Sequence, residues 1–217
     1  MIKFFNYFLV TFLFFFTPAY STNIKVFEFT KDELTNLKIR KVRGADEKTK
    51  YSVGDNENGN FLRAEANNSA SGLGKKITIN LVETPFLNIT WKVEKDLSGI
   101  NESSKKGHDY AARVFVIKKT GKTALSNRAI NYVFSSNEKI GEYWTSPFTK
   151  KSIDYVLATT LINNNEWVSV KSNVKDDFKK LHNLDVNELN GLALMTDTDN
   201  SKLKAISYYQ NIFFSSE

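Results

Sequence analysis

Cysteine is absent from this 217-residue chain. The absence excludes disulfides, cysteine-ligated zinc or iron–sulfur sites and thiol catalysis, so packing alone has to hold the fold together. Histidine is also scarce, with only two residues, and neither a G-x-S-x-G nor an H-E-x-x-H motif occurs. The sequence therefore lacks the signatures of serine esterases and zinc peptidases, which argues against an enzyme without excluding one.

Long apolar runs are missing except at the N-terminus, where Lys3 precedes the almost wholly apolar residues 4–16. Pro18 and the small residues Ala19 and Ser21 follow, which is the pattern of a secretory signal peptide. The run is shorter than the roughly 20 residues that a spanning helix needs. We expect residues 1–21 to be removed on export, with the exact cleavage site left open. Residues 22–217 are then predicted to form a single domain in the periplasm or outside the cell, with no transmembrane segment.

The formal net charge of +6 falls to +5 once Lys3 is removed with the signal peptide. Basic residues are scattered among acidic ones along the chain rather than gathered in one block. This pattern predicts no nucleic-acid partner. It fits solubility and a loose attraction to anionic surfaces. Composition alone says nothing about the oligomeric state.

Strict alternation of apolar and polar residues marks two segments, residues 76–81 and 87–94, as strands with one buried face. Such alternation is typical of antiparallel sheets, and about eleven short strands of this kind predict an all-β, antiparallel β-sandwich. A jelly roll is the favoured layout and a barrel is the alternative. One or two short helices are expected, a capped turn at residues 30–33 and an amphipathic helix over residues 174–182, while the glycine-rich residues 67–74 are predicted to be a loop.

Arg113 stands between apolar residues on a predicted strand, where a guanidinium needs a carboxylate or carbonyl partner. Asp109 lies four residues away, about 13 Å along a strand, and so cannot pair with it directly. Glu65, Asp197 and Asp199 are the candidate partners. Two interpretations stay open: an internal ion pair that sets strand register, and a site that recognises a ligand carboxylate, sulfate or sugar hydroxyl.

Hard oxygen ligands for Ca²⁺ collect in a polar turn, at Asp197, Asp199 and Asn200. The turn lacks the glycine and the distant glutamate of an EF-hand loop, so a turn that caps its own backbone is the alternative. Trp144 is predicted to lie in a loop, where its ring could stack on a sugar, and Lys92 lies on the polar face of its strand. Both are candidate ligand-binding residues, and no cofactor other than Ca²⁺ is expected.

Five segments taken together resemble a bacterial family of exported proteins known as domain-of-unknown-function family 3047. The most specific pieces are G-x-D-x-x-x-R, present as Gly107, Asp109 and Arg113, and M-T-D-T-D-N at residues 195–200. His108 stands where a second Asp is usual in that family. The resemblance implies a β-sandwich akin to galactose-binding and carbohydrate-binding jelly rolls, and it implies no activity.

Three functions remain as hypotheses. The first is a non-catalytic module that binds a saccharide or another small polar ligand, with Lys92, Asp109, Arg113, Trp144, Asp197 and Asp199 as candidate contacts. The second is a polysaccharide-acting enzyme, which needs two of the Asp carboxylates within about 10 Å of each other across an open cleft. The third is a structural or assembly protein of the cell envelope.

Overall fold

The computed structural model describes residues 22–123 and 126–217. The predicted signal peptide at residues 1–21 lies outside the described residues. In the described part, no helix combines the length and the apolar character that crossing a bilayer requires.

Strands make up about half of the described chain, and two short α-helices accompany them. The strands are β1 Asn23–Lys25, β2 Lys38–Lys41, β3 Lys50–Asn56, β4 Gly59–Asn67, β5 Ala70–Lys75, β6 Ile79–Asn80, β7 Phe86–Lys95, β8 Ala112–Lys118, β9 Arg128–Ser135, β10 Tyr143–Thr145, β11 Ser152–Thr159, β12 Val168–Asn173, β13 Glu188–Leu189, β14 Gly191–Asp197 and β15 Lys204–Ser215. The helices are α1 Lys31–Asn36 and α2 Val174–His182.

Two large sheets form the body of the molecule. A six-stranded sheet has the order β12-β7-β15-β4-β3, with β1 paired to β15, and a seven-stranded sheet has the order β10-β11-β9-β8-β14-β5-β2. Strands β13 and β6 form a small separate ladder. The ladders between these strands are antiparallel except the one between β9 and β11. The antiparallel sandwich predicted from the sequence is confirmed, with one parallel pair as a local exception.

The hydrophobic core lies between the two sheets. Trp91 on β7 is fully buried, and its ring lies 5.5 Å from that of Phe134 on β9, so the two sheets meet face to face. Alternation along β7 is as predicted: Leu87, Ile89, Trp91 and Val93 are buried, while every second residue, at positions 88, 90 and 92, is partly exposed. Burial of this apolar face supplies most of the stability in a chain without disulfides.

Both predicted helices are confirmed, and Thr30 caps α1 by accepting the Glu33 backbone N–H at 3.1 Å. One loop prediction and one strand prediction need correction. Residues 67–74 are not simply a loop, because they contain most of β5, which pairs with both β14 and β2. Residues 76–81 alternate in burial as expected, but only Ile79–Asn80 pairs, with β13. Glycine has a low strand propensity, and in β5 the pairing on both sides overrides it.

Candidate functional site

Arg113 is buried and paired with Asp197, one of the three partners that the sequence offered. Its Nη2 donates to the Asp197 carboxylate at 2.6 Å, and the two side chains are 7% and 2% exposed. Strand pairing explains the contact, because Arg113 lies opposite Met195 and Asp197 follows two residues later on the same face. Burial opposes the guanidinium charge, but the Asp197 carboxylate raises the pKa of Arg113 above its usual value. The pair therefore locks β8 to β14.

Rings flank the guanidinium of Arg113 as well. Its Cζ lies 5.2 Å from the ring centroid of Tyr110 and 5.0 Å from that of Phe115. Cation–π contacts of this kind gain strength when water is excluded. A lysine could replace the charge of Arg113, but it could not reproduce the planar group that lies near these rings.

Asp109 closes the loop between β14 and β15, residues 198–203. Its carboxylate accepts the backbone N–H groups of Asn200 at 3.2 Å and Ser201 at 2.6 Å, and also Nδ2 of Asn200 at 2.8 Å. It therefore binds loop donors rather than Arg113, as predicted. The predicted reason is wrong, because β8 begins only at Ala112 and Asp109 lies before the strand, with its carboxylate within 4.8 Å of that of Asp197. These bonds bring the two most specific motifs of the sequence together.

Carboxylate oxygens of Asp109, Asp197 and Asp199 lie within 4.8 Å of one another. Burial raises the pKa of Asp197, and the guanidinium of Arg113 opposes that rise. Protein donors already bind the carboxylates of Asp109 and Asp197, so a Ca²⁺ ion here would have to displace Arg113 or the loop N–H groups. Both carboxylates are also almost inaccessible, with residue exposures of 0% and 1%. The cluster therefore does not provide the open cleft that the enzyme hypothesis requires, and Ca²⁺ binding stays a prediction.

The pH dependence of stability should show that the pKa of Asp199 is raised in the folded protein. Burial raises the pKa of Asp199, and the charge of Asp109 adds to the rise. Between the ordinary aspartate pKa of about 3.9 and this raised value, the folded state binds more protons than the unfolded state, so stability falls as pH rises. The side chain of Asp199→Asn cannot ionise. We therefore expect the melting temperature of this variant to rise relative to that of the parent as pH rises through this window.

Thermal unfolding of both proteins from pH 3 to pH 8 checks the Asp199 prediction. Melting curves that keep a constant separation across that range would contradict it. The same scans with millimolar Ca²⁺ test the metal hypothesis, because a site at this cluster would raise the melting temperature of the parent but not that of Asp199→Asn.

Of the two other candidates, Lys92 lies away from this cluster, whereas Trp144 lies beside it. Lys92 projects from the outer face of the six-stranded sheet, with Nζ 5.4 Å from the ring centroid of Tyr208. The prediction that Trp144 lies in a loop is wrong, because it lies on β10 at an edge of the seven-stranded sheet. Its ring packs against buried Tyr110, Val133 and Val156. The structure thus unites Asp109, Arg113, Asp197 and Asp199 and separates Lys92 from them. Trp144 adjoins the group through Tyr110.

Three aromatic rings cluster on the outer face of the six-stranded sheet, near Lys92. The ring centroids of Phe61, Trp167 and Tyr208 lie 5.5–6.0 Å from one another, and Trp167 is 37% exposed. We call these three residues the aromatic cluster. Its rings pack mainly against each other at tilted angles, which leaves only part of each face open for stacking.

A groove of about 850 Å³, which sequence reasoning missed, runs over the seven-stranded sheet. Leu73 and Leu194 point into the core, so Gly72, Gly74 and Ala193, which alternate with them, face outward and form the groove floor. Strand register makes this floor continuous, because Gly74 lies opposite Ala193 on β14. Small residues on the outward face, at Gly72, Gly74 and Ala193, create the groove, and the Met195 side chain lies over its Gly72 end, 3.2 Å from where a Cβ of Gly72 would be.

Positive charge surrounds this floor, and we call the site the basic groove. In the described part of the chain, seven cationic residues line the groove and no Asp or Glu does. Lys75 is bound to Glu33 at 2.9 Å, and Lys41 donates to the backbone carbonyl of Asp46. The other five form no ion pair with a residue of the described ranges: Lys38, Arg40, Lys76, Lys119 and Lys122.

Comparison with known proteins agrees with this fold. The family model described as "Protein of unknown function (DUF3047)" matches residues 35–213. No curated protein matches the sequence. Among solved structures, the family 30 carbohydrate-binding module of a cellulosomal cellulase from Clostridium thermocellum is similar at 10% identity, with a TM-score of 0.52 over 90% of this chain and 98% of that chain.

A further crystal structure of a family 30 carbohydrate-binding module is similar at 10% identity, with a TM-score of 0.51 over 90% of this chain and 88% of that chain. Likeness at such low identity shows a shared fold and does not transfer a function. The jelly-roll-like, carbohydrate-binding-module-like sandwich expected from the sequence is therefore confirmed as a fold.

Proposed function

We propose from the geometry that this protein, which belongs to the family of unknown function DUF3047, binds a polysaccharide in the basic groove without cleaving it. Family membership assigns no activity, so the proposal rests on the groove. The carrying observation is an open trough on a rigid sheet, floored by Gly72, Gly74 and Ala193 and bordered by hydrogen-bond donors. An extended chain of sugars can lie on such a floor, where larger side chains would exclude it.

The sides of the groove suit hydroxyl-rich ligands. Three asparagines, Asn36, Asn127 and Asn190, line it together with the Lys and Arg side chains. Amides both donate and accept hydrogen bonds, as sugar hydroxyls do. Both amide atoms of Asn190 already bond to Lys119 and Glu188, and Nδ2 of Asn36 donates to Asp32. The Asn127 amide, Oδ1 of Asn36 and the cationic side chains are therefore the groups that can orient a ligand on this floor.

The absence of catalysis in this proposal also follows from the groove lining. Most glycoside hydrolases use a pair of carboxyl groups beside the scissile bond. No Asp or Glu of the described residues lines the basic groove, and Asp109 and Asp197 are buried and already bonded. The export predicted from the N-terminal sequence would place such a binding protein where extracellular or envelope polysaccharides occur.

Filling the groove floor should abolish binding. A Cβ at Gly74 would lie 3.7 Å from its nearest neighbours, the Ala193 Cβ and the Leu192 carbonyl oxygen, so a side chain fits the strand at this position and projects into the groove. We expect Gly74→Val to lose polysaccharide binding while its melting temperature stays the same or rises, because valine favours strands more than glycine does. Affinity electrophoresis through polysaccharide-containing gels, with thermal unfolding in parallel, checks this.

Two control variants locate the site. Ser52→Val places the same side chain at an exposed position of β3 on the other sheet and should bind like the parent. Trp167→Ala removes the exposed ring of the aromatic cluster and should also bind like the parent. If Trp167→Ala loses binding and Gly74→Val keeps it, the ligand lies on the six-stranded sheet and the proposed site is wrong. Release of reducing ends from a bound polysaccharide would contradict the non-catalytic role.

A further inference from the structure

We infer that the ligand of the basic groove is a polyanionic saccharide, one that carries carboxylates or sulfates along its chain. The inference rests on the proposed function and deepens it. Five unpaired cations around one floor, with no acidic residue of the described chain among them, are its basis.

One side of the groove is formed by β2. Lys38 lies opposite Gly74 and Arg40 lies opposite Gly72, so each cation stands beside a floor glycine. The two residues alternate with half-buried Ile39 and therefore project from the same face of the strand, roughly 7 Å apart. An Arg beside an open floor can bind a carboxylate or sulfate with two parallel hydrogen bonds.

The other side is formed by the loop after β8 and by the residue after β5. Lys119 and Lys122 lie on that loop, and its first residue is fixed because the Lys119 backbone N–H donates to Oδ1 of Asn190 at 2.8 Å. Lys76 follows β5 directly. From β2 to β8 the sheet spans three strand spacings, about 14 Å. Negative groups repeated along a chain in this trough would meet cations on both sides.

The groove lining also favours a polyanionic saccharide over a single-stranded nucleic acid or a neutral glycan. In the described residues it contains no Phe, Tyr, Trp or His. Proteins that bind single-stranded nucleic acids stack bases on aromatic rings, so the lining disfavours that ligand. A neutral glycan would leave the five cations repelling one another without compensation, whereas a polyanion neutralises them.

The test compares polysaccharides that differ only in charge. We expect the parent protein to be retained by polygalacturonate or by dextran sulfate at low salt, and the retention to weaken steeply as salt rises. Fully methyl-esterified polygalacturonate and unmodified dextran share these backbones without the charge and should bind at least about tenfold more weakly, since several ion pairs of modest strength are lost together. The carboxylate and sulfate arms show which anion the groove prefers.

A matched pair of variants tests the residues. Lys38→Ala/Arg40→Ala should weaken binding to the preferred polyanion about five- to tenfold, because two exposed contacts are lost. Lys139→Ala/Lys150→Ala removes the same charge near β10, at the opposite edge of the sheet, and should leave affinity unchanged. Lys119→Ala/Lys122→Ala repeats the test from the other side of the groove, should the first variant fail to fold.

The possible results separate the proposed function, polysaccharide binding, from the inference that the polysaccharide is a polyanion. If neutral and charged polysaccharides bind equally, the inference is overturned and the proposed function stands. If no polysaccharide of either kind is retained, the proposed function fails and the inference fails with it. Retention by poly-glutamate or oligothymidylate as strong as by the charged polysaccharides would show a site for charge without sugar, which also overturns the inference. If Lys38→Ala/Arg40→Ala aggregates but binds the polyanion normally, the two cations protect the edge strand β2 from aggregation and do not bind the ligand, which overturns the inference.

Discussion

Replacing Arg113 with alanine is expected to lower the free energy of unfolding by about 3–5 kcal/mol, the usual cost of breaking a buried ion pair from one side. Asp197 is 1% exposed and would be left as a buried charge or would have to take up a proton. The substitution also removes the group that packs near the rings of Tyr110 and Phe115. A lower urea midpoint with an unchanged denaturant slope is the expected measurement.

Two further variants separate the ion pair from a binding role for Arg113. Arg113→Lys keeps the charge but loses the planar fork, so we expect it to recover only part of the stability. Arg113→Met/Asp197→Asn removes both charges together and should be less destabilised than Arg113→Ala, because no charge is left unpaired. An Arg113→Ala protein that unfolds at the parent midpoint and fails only to bind ligand would assign Arg113 to a binding site.

Trp91→Ala should be about as costly, lowering stability by about 3–5 kcal/mol. The indole is fully buried on β7, pairs with Tyr209 across the ladder to β15, and touches Phe134 of the facing sheet. Alanine would leave a cavity between the two sheets that a rigid double-layer core cannot close. The whole domain should therefore lose stability, as measured by urea unfolding followed by far-ultraviolet circular dichroism.

Trp91→Phe is the matched control for this cavity. Nε1 of Trp91 is buried and has no hydrogen-bond partner among the described atoms. A phenyl ring therefore gives up no hydrogen bond and removes a buried unpaired donor, which typically costs about 1–3 kcal/mol. We expect a much smaller loss than for alanine, and unchanged polysaccharide binding. Equal losses for both variants would show that the ring itself contributes little to the packing.

Periodicity and side-chain chemistry in the sequence were enough to predict the sandwich and its internal ion pair. Alternation over residues 87–94 reflects a strand with one buried face, and this pattern depends only on the local chain. Arg113 could be assigned a carboxylate partner because a buried guanidinium needs one. Asp109 was excluded on the assumption that it lies on the same strand, whereas β8 begins only at Ala112. Asp197 and Asp199 followed as candidates from the density of acidic residues in a single turn.

The basic groove could be recognised only in the tertiary structure. Its cations come from residues 38–41, 75–76 and 119–122, which look scattered along the chain and meet only because the sheet has the order β8-β14-β5-β2. Its floor came from β5, whose glycines indicate a loop when read locally, since glycine has a low strand propensity. Long-range pairing with β14 and β2 makes that segment a strand. The same glycines that led to the loop prediction leave room for the groove, because they have no side chains.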